Sequence, residues 1–231
     1  MEGAAPGWER FLATFLDPAV AARYLPDILS GVAVTLLAGI AVVATGLAAG
    51  LGLAVLRSLA IRALNLAILV LVDVVRALPP LVLLLIVFFG LPNLGITMPA
   101  PVVLWLVLSI VLAAFAEEVF WAGITAVDRG QWLAAQSTGM TRMQAMRLVV
   151  LPQAVRIALP PLTNRVVSIT KNVALGSAIG VSEILGRASS AQAFSGNATP
   201  LTIGALLYLL IFIPLVMAAR RLERRFGWKR A

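Results

Sequence analysis

The chain has 231 residues, of which 61% are hydrophobic and 12% charged, with a mean hydropathy of +1.01 and a formal net charge of +8. This exceeds what a water-soluble core of that size requires, so a soluble globular domain is excluded and the chain belongs in a membrane. Cysteine and histidine are both absent, which removes disulfides, thiolate nucleophiles, His-built metal sites and imidazole relays.

In chain order, Trp8, Phe11, Leu12, Phe15 and Leu16 come first, at the i, i+3, i+4, i+7, i+8 spacing of a helix with one apolar face. We read residues 1–26 as an amphipathic segment lying on the outer membrane surface. Three uncharged runs follow: 29 residues between Asp27 and Arg57, 40 between Arg76 and Glu117, and 32 between Arg187 and Arg220. About 20 apolar residues cross the hydrocarbon, so the 40-residue run is too long for one span. It divides at "GLPNLGITMPAP", residues 90–101, where Pro and Gly predict a turn. A further apolar stretch, 148–181, is interrupted by Arg156, Arg165 and Lys171 and reads as a helix facing protein or water rather than lipid. Five spans are predicted, at 28–56, 63–90, 99–123, 148–180 and 200–220, in an all-α polytopic membrane protein whose 231 residues form one transmembrane domain.

The positive charge is not spread as a nucleic-acid surface requires. Six basic residues fall in the tail at 220–231, two more (Arg57, Arg62) between the first two spans, and Arg129, Arg142 and Arg147 between the third and fourth. The other side holds Arg10, Arg23 and Arg187. The positive-inside rule therefore predicts a cytoplasmic tail, a cytoplasmic 128–147 segment and an external N-terminus. The tail itself reads as an anchoring and orienting cluster against the lipid.

The 128–147 segment is polar in an otherwise apolar chain. From Asp128 to Thr138 the residues favour helix, and Gly139 supplies a left-handed terminator. Thr141 followed by Gln144 fits a capping box, opening a second helix through Met143, Met146 and Arg147 to Leu151, with Pro152 at the entrance of span four. A five-residue loop would suffice to join two spans, so this structure needs a reason. One reading is an interfacial hairpin packed on its own bundle. The other is a docking knob, with Met140, Met143 and Met146 filling a partner's groove and Arg129, Arg142 and Arg147 at the rim.

Ionisable residues inside spans are functional candidates. Lys171 lies deep in span four with Asn164 and Ser168 at helical spacing and Asn172 beside it, a stripe able to line a path; alternatively, Lys171 pairs internally with Glu118 or Asp73. Asp73 and Arg76 are three apart and can pair on span two, which Pro79-Pro80 should kink. Arg76 can also contact solute. Glu118 is read as the partner of Arg156 or Arg165. An enzyme is disfavoured, because no nucleophile with a base, no HExxH and no nucleotide-cradling GxxxxGK[ST] loop is present. A stand-alone secondary transporter is disfavoured by the missing inverted repeat and leaves the 128–147 segment unexplained.

The stretch "GQWLAAQSTGMTRMQAMRLVVLPQAVRIALPPLTN", residues 130–164, resembles the signature of ABC-importer permease subunits, GQ-x-E-A-A-x3-G followed by a LPQA block. "FAEEVFWAGI", "VRALPPLV", "KNVALGSAIGVSEIL" and the terminal "LERRF" are similar, in order, to blocks of the polar amino-acid uptake permeases, and the likeness extends over about 26–226. It implies a MetI-like permease fold in a bacterial inner membrane. It further implies a cytoplasmic ABC ATPase dimer that binds ATP and Mg on its own chains, a second copy or related permease chain, an external solute-binding protein and a small polar solute. The docking residues implied are Gly130, Gln131, Ala134, Ala135, Gly139, Met140, Arg142 and Met143. Opine-like compounds or compatible solutes are the alternative cargo. Leu133 stands where the family has the Glu of E-A-A, Trp121 where it has Arg, and "NVAL" replaces DTSL at 172–175.

Overall fold

A computed structural model describes residues 7–226 of the chain. Ten α-helices appear in order: α1 (Gly7–Phe15), α2 (Pro18–Arg57), α3 (Arg62–Ala77), α4 (Pro80–Gly90), α5 (Ala100–Ala126), α6 (Arg129–Ser137), α7 (Arg142–Ala145), α8 (Leu151–Lys171), α9 (Ile184–Ser195) and α10 (Thr199–Phe226). A wide π turn (Met146–Val150) fuses α7 to α8, and a 3-10 segment (Asn172–Ile179) extends α8. Among the described residues there is no strand.

The local chemistry sets the boundaries. Asp17 caps α2, its carboxylate accepting from the amides of Ala19 at 2.8 Å and Val20 at 3.2 Å, with Pro18 in the first turn where its missing N–H is harmless. The amphipathic segment is therefore shorter than 1–26: α1 ends at Phe15, and residues 18–26 open the first long helix. Residues 1–6 lie outside the described part. Helix α1 buries none of its side chains; the rings of Trp8, Phe11 and Phe15 stack along its exposed face. It is tied to the start of α10, where the Asn197 amide donates to the Ala13 carbonyl at 2.8 Å and the Ala198 amide to the Thr14 carbonyl at 2.9 Å.

Among the described residues, four helical stretches are long and apolar enough to cross a membrane, and the α3–α4 pair makes a fifth if it counts as one span. That pair is bent by 101° at Leu78-Pro79, so the predicted span over 63–90 is two helices, broken where Pro79-Pro80 were expected to break or kink it. Pro79 and Pro80 cannot donate amides back into α3, and the residue before a proline is pushed out of the helical region; Leu78 sits at φ −97°, ψ 138°. At the predicted 90–101 turn, a short 3-10 turn (Leu91–Leu94) and left-handed Gly95 separate α4 from α5.

Helix α5 is the axis of the bundle, with both faces buried along most of its length. Against it runs α2, whose buried residues Gly31, Thr35, Gly39, Val42, Gly46, Gly50 and Ala54 recur every three or four positions. In a membrane, helices associate through such small-residue faces, because lipid supplies no hydrophobic drive between them. The approach is close at Gly50, where an added Cβ would sit 2.6 Å from the Cβ of Ala116 and 2.8 Å from the Ala113 carbonyl oxygen. We expect Gly50→Val to separate α2 from α5 and lower the yield of folded protein severalfold, measured by fluorescence-detected size exclusion. Unchanged yield and thermal midpoint would count against this packing.

Three core clusters follow one another along α2. Ile28 packs with Ile184, Ala188 and Ala191 at one end. Val42 joins Leu84, Leu104, Leu108 and Val173 in the middle, and Ala54 joins Phe120, Val127, Met146 and Val150 at the other end. A half-buried polar bridge crosses the middle layer: the Trp105 indole donates to the Thr45 hydroxyl at 3.1 Å, which lies 2.7 Å from the Ser109 hydroxyl.

Candidate functional site: a glycine-cornered helix pair at one end of the bundle

The polar 128–147 segment folds as its punctuation predicts. Asp128 caps α6, its carboxylate accepting from the Gly130 amide at 2.6 Å. The helix ends at Gly139, φ +89°, with the Met140 amide returning to the Ala135 carbonyl at 3.3 Å and the Gly139 amide to Gln136 at 3.0 Å, the paired bonds of a Schellman end. The Thr141 amide donates to the Gln144 side-chain oxygen at 2.8 Å and the Gln144 amide to the Thr141 hydroxyl at 3.3 Å, closing the capping box. Two short helices thus meet at a glycine corner.

Three struts fix this corner to the bundle. The Arg142 guanidinium donates to the Ser58 carbonyl at the end of α2, at 3.0 Å. The Gln153 amide on α8 donates to the Gln131 side-chain oxygen at 3.3 Å. Ala135, Ala145 and Met146 are buried, Met146 within the cluster of Phe120 and Val150. Two expectations change as a result. Ala135 and Met146 belong to the inner face of the corner and present no surface to a partner: Met146 packs among Phe120 and Val150, and α6 lies against the π turn and α7. Gly130, Gln131, Ala134, Gly139, Arg142 and Met143 are exposed, Met140 is half-buried, and the rim residues Arg129 and Arg147 are exposed. Leu133 is 64% exposed and Met143 52%. A groove of about 700 Å³ beside α6 is lined by Trp121, Arg129, Trp132, Leu133, Gln136 and Arg142.

Above the corner lie the charged residues, differently paired from the sequence expectation. Arg76 leaves Asp73 and reaches across to Glu118 on α5, at 2.7 Å. Asp73 is exposed and forms no ion pair among the described residues. The reason is topological: the break after Leu78 presses the end of α3 on α5, where Arg76 also lies over the Phe115 ring at 5.4 Å. Arg165 covers the same ring at 4.4 Å instead of pairing with Glu118. Arg156 is exposed and forms no ion pair among the described residues. One phenyl ring therefore gathers α3, α5 and α8 between two guanidiniums, a cation–π arrangement.

Sequence reasoning assigned no role to Glu117, yet its side chain is 0% exposed and accepts from Arg57 on α2 at 3.0 Å. The guanidinium lies over the Trp121 ring at 4.5 Å. The only signal was a carboxylate at the end of a 40-residue uncharged run, which had to find a cation somewhere; spacing could not say that it stood 60 residues earlier. Glu183 was missed likewise. It is 0% exposed, caps α9 through the amides of Leu185 and Gly186, and accepts from the Tyr208 hydroxyl at 2.5 Å. Burial pushes its carboxyl above the usual carboxylate range, against the opposing pull of those three donors.

The predicted stripe does share a face: Asn164, Ser168 and Lys171 are all exposed along α8, and Asn172 is half-buried where the helix tightens to 3-10. Lys171 forms no ion pair with Glu118 or Asp73; its ammonium lies 5.9 Å from the centre of the Phe212 ring. Arg76 joins this stripe only through Arg165, with which it shares Phe115.

A membrane bundle with a rigid, glycine-cornered helix pair at one end is the architecture of an importer permease, and the comparisons agree. The model of binding-protein-dependent transport system inner membrane components matches residues 43–228, and the chain belongs to that family. It is 32% identical over 192 residues to a probable glutamine ABC transporter permease protein of Bacillus subtilis (strain 168), covering 83% of this chain and 89% of that one. With an arginine transport system permease protein of the same organism it is 31% identical over 212 residues, covering 91% and 97%. Its structure is similar to that of an amino acid ABC transporter crystallised with histidines, at a TM-score of 0.81 and 33% identity over 91% of this chain and 99% of that one. Inward-facing MetNI methionine transporter shares the fold, at a TM-score of 0.70 and 21% identity over 92% and 100%. The chain is thus a multi-pass permease of an ATP-driven, binding-protein-dependent importer, and its family works with an ATPase and a binding protein.

Proposed function

We propose that this chain carries a polar amino acid across the bacterial inner membrane by alternating access, with the glycine-cornered helix pair as the handle that the ATPase moves. The observation that supports this most is the corner itself. It is locked at both ends by the Arg142–Ser58 and Gln131–Gln153 struts, so a displacement at Gly139 passes to α2 and α8 rather than being absorbed in a loop. Gly130, Gln131, Ala134, Gly139, Met140, Arg142 and Met143 make the docking face, and the groove beside Trp132 and Leu133 is its apolar part. Leu133 puts an alkyl group where the family signature has the Glu of E-A-A, so the facing ATPase surface offers apolar contact there.

The orientation follows the basic residues: the corner, the Arg57–Arg62 turn and the tail face the cytoplasm, and the N-terminus faces out. Lys229 and Arg230 of the tail lie outside the described residues. Two permease chains, identical or related, enclose the path between them, with Asn164, Ser168, Lys171 and Asn172 towards it and Arg76 at its edge. The amino-acid class rests on the glutamine- and arginine-transporting relatives.

Reconstitution tests the whole reading. Vesicles holding this chain with its ATPase and an external binding protein should accumulate an amino acid only when ATP is enclosed. ATP-independent flux by this chain alone, or failure of an ATPase subunit to remain bound after detergent extraction, would refute it.

A further inference from the structure

A cavity of about 340 Å³ opens between α2, α9 and the 3-10 segment, at the end of the bundle opposite the helix corner. Its volume falls within the about 300–1,000 Å³ typical of small-molecule sites. Its walls carry one carboxylate, Asp27, one guanidinium, Arg187, and the hydroxyls of Ser177, Ser182 and Ser190, with Phe194 on the rim. Asp27 and Arg187 meet at 2.6 Å through one oxygen and one nitrogen. We propose that this pair is a binding site for the head group of an α-amino acid, taking the solute's carboxylate on Arg187 and its ammonium on Asp27 as it enters from outside. The proposal rests on the amino-acid-importer reading and adds an entry site to it, apart from the α8 stripe.

The two side chains are held in register by rigid backbone. Asp27 stands one turn before Gly31, and an added Cβ on Gly31 would meet the Glu183–Ile184 backbone at 2.8 Å. Arg187 stands one turn after Glu183, its amide bonded to the Glu183 carbonyl at 2.9 Å, and Glu183 is itself buried and held by Tyr208. The contact that fixes α2 against α9 thus also fixes the distance between carboxylate and guanidinium.

The pair is suited to exchange rather than to structure. Its side chains are 48% and 37% exposed, and an ion pair that open to water contributes little to stability. Asp27 engages the guanidinium through one Nη alone, and the second Nη makes no hydrogen bond among the described residues, whereas Nε is buried. A guanidinium binds a carboxylate best with two parallel N–H donors. A solute carboxylate can take the two Nη groups together, and the ammonium of the same molecule then replaces the guanidinium at Asp27. Every charge remains paired after the exchange. A solute lacking either charge leaves one of the two residues unpaired in a partly enclosed cavity.

The test is a calorimetric titration of the detergent-purified permease–ATPase complex, without binding protein, against the twenty proteinogenic L-amino acids. For those that bind, it is repeated with their α-carboxamide and N-acetyl derivatives. Binding should appear for at least one free amino acid and weaken about tenfold or more for both derivatives, a comparison that needs no variant. Asp27→Asn and Arg187→Gln should each weaken it to a similar degree. The Asp27→Arg/Arg187→Asp exchange restores an ion pair; wild-type thermal midpoint with wild-type selectivity in that variant would mark a structural tie and overturn the proposal. Intact affinity in the single variants with reduced stimulation by the binding protein would make the pair a docking contact and overturn it too. So would no binding by a complex that does transport an amino acid in vesicles. If the wild-type complex transports none of the panel, the amino-acid reading itself fails, and this site with it.

Discussion

Gly139→Val should leave the permease inserted at near wild-type yield and lower ATP-driven uptake roughly tenfold or more, because a left-handed conformation costs an L-residue with a side chain about 1–2 kcal/mol, and a β-branched one more. Gly139 sits at φ +89°, and nothing lies within 4 Å of where its Cβ would be, so crowding inside the chain is not the source of the effect. The strain is relieved by opening the corner, which turns α6 against α7 and misplaces the exposed face. Gly139→Asn supplies the control, since asparagine enters the left-handed region far more readily. Uptake in vesicles containing the complete importer should rank Gly, Asn, Val. Equal uptake by all three would show that the corner's shape is irrelevant to coupling. Equal loss in Asn and Val would place the effect in steric contact with the ATPase rather than in the backbone.

The second large effect is expected at Arg57 and Glu117. Removing one partner of a buried ion pair leaves the other charge uncompensated, typically at about 3–5 kcal/mol. Glu117 is fully buried and the Arg57 side chain is 16% exposed, so Arg57→Met strands a carboxylate with no water to solvate it. The single variants Arg57→Met and Glu117→Leu should each lower the thermal midpoint of the detergent-purified protein strongly. The double variant should recover most of the loss, because two apolar groups against Trp121 need no partner. Additive losses would mean that the residues contribute separately. The pair also adjoins the corner, since Ser58, next to Arg57, accepts from Arg142. Its loss should therefore uncouple ATP hydrolysis from uptake in whatever protein still folds.

These two sites differ in how they could be found. Gly139, Asp128, Thr141 and Gln144 act through bonds to near neighbours in the chain, and a glycine after a helical stretch or a Thr-x-x-Gln pair has the same meaning wherever it occurs. The corner could accordingly be read residue by residue. Spans were legible for a similar reason, because hydrocarbon thickness is a fixed length against which uncharged runs can be measured. The break at Pro79-Pro80 was legible as a kink, but its 101° angle was not, since a proline removes amides without dictating where the chain goes next.

Charge pairing belongs to the fold. Arg76 had Asp73 within a turn of helix and pairs with Glu118 instead, because the bend at Leu78 sets the end of α3 against Phe115 and Glu118. Glu117 meets Arg57, and Asp27 meets Arg187, across 60 and 160 positions. A guanidinium on a long flexible stem chooses among every carboxylate that packing brings within reach, and sequence spacing records only those on its own helix. A membrane bundle with a glycine-cornered helix pair could be read from the chain alone, because both depend on local bonds and on length. Which helices touch, which face of the corner is left free, and which charges meet were decided by tertiary packing, where small residues such as Gly46 and Gly50 let one helix approach another closely enough to bring distant side chains together.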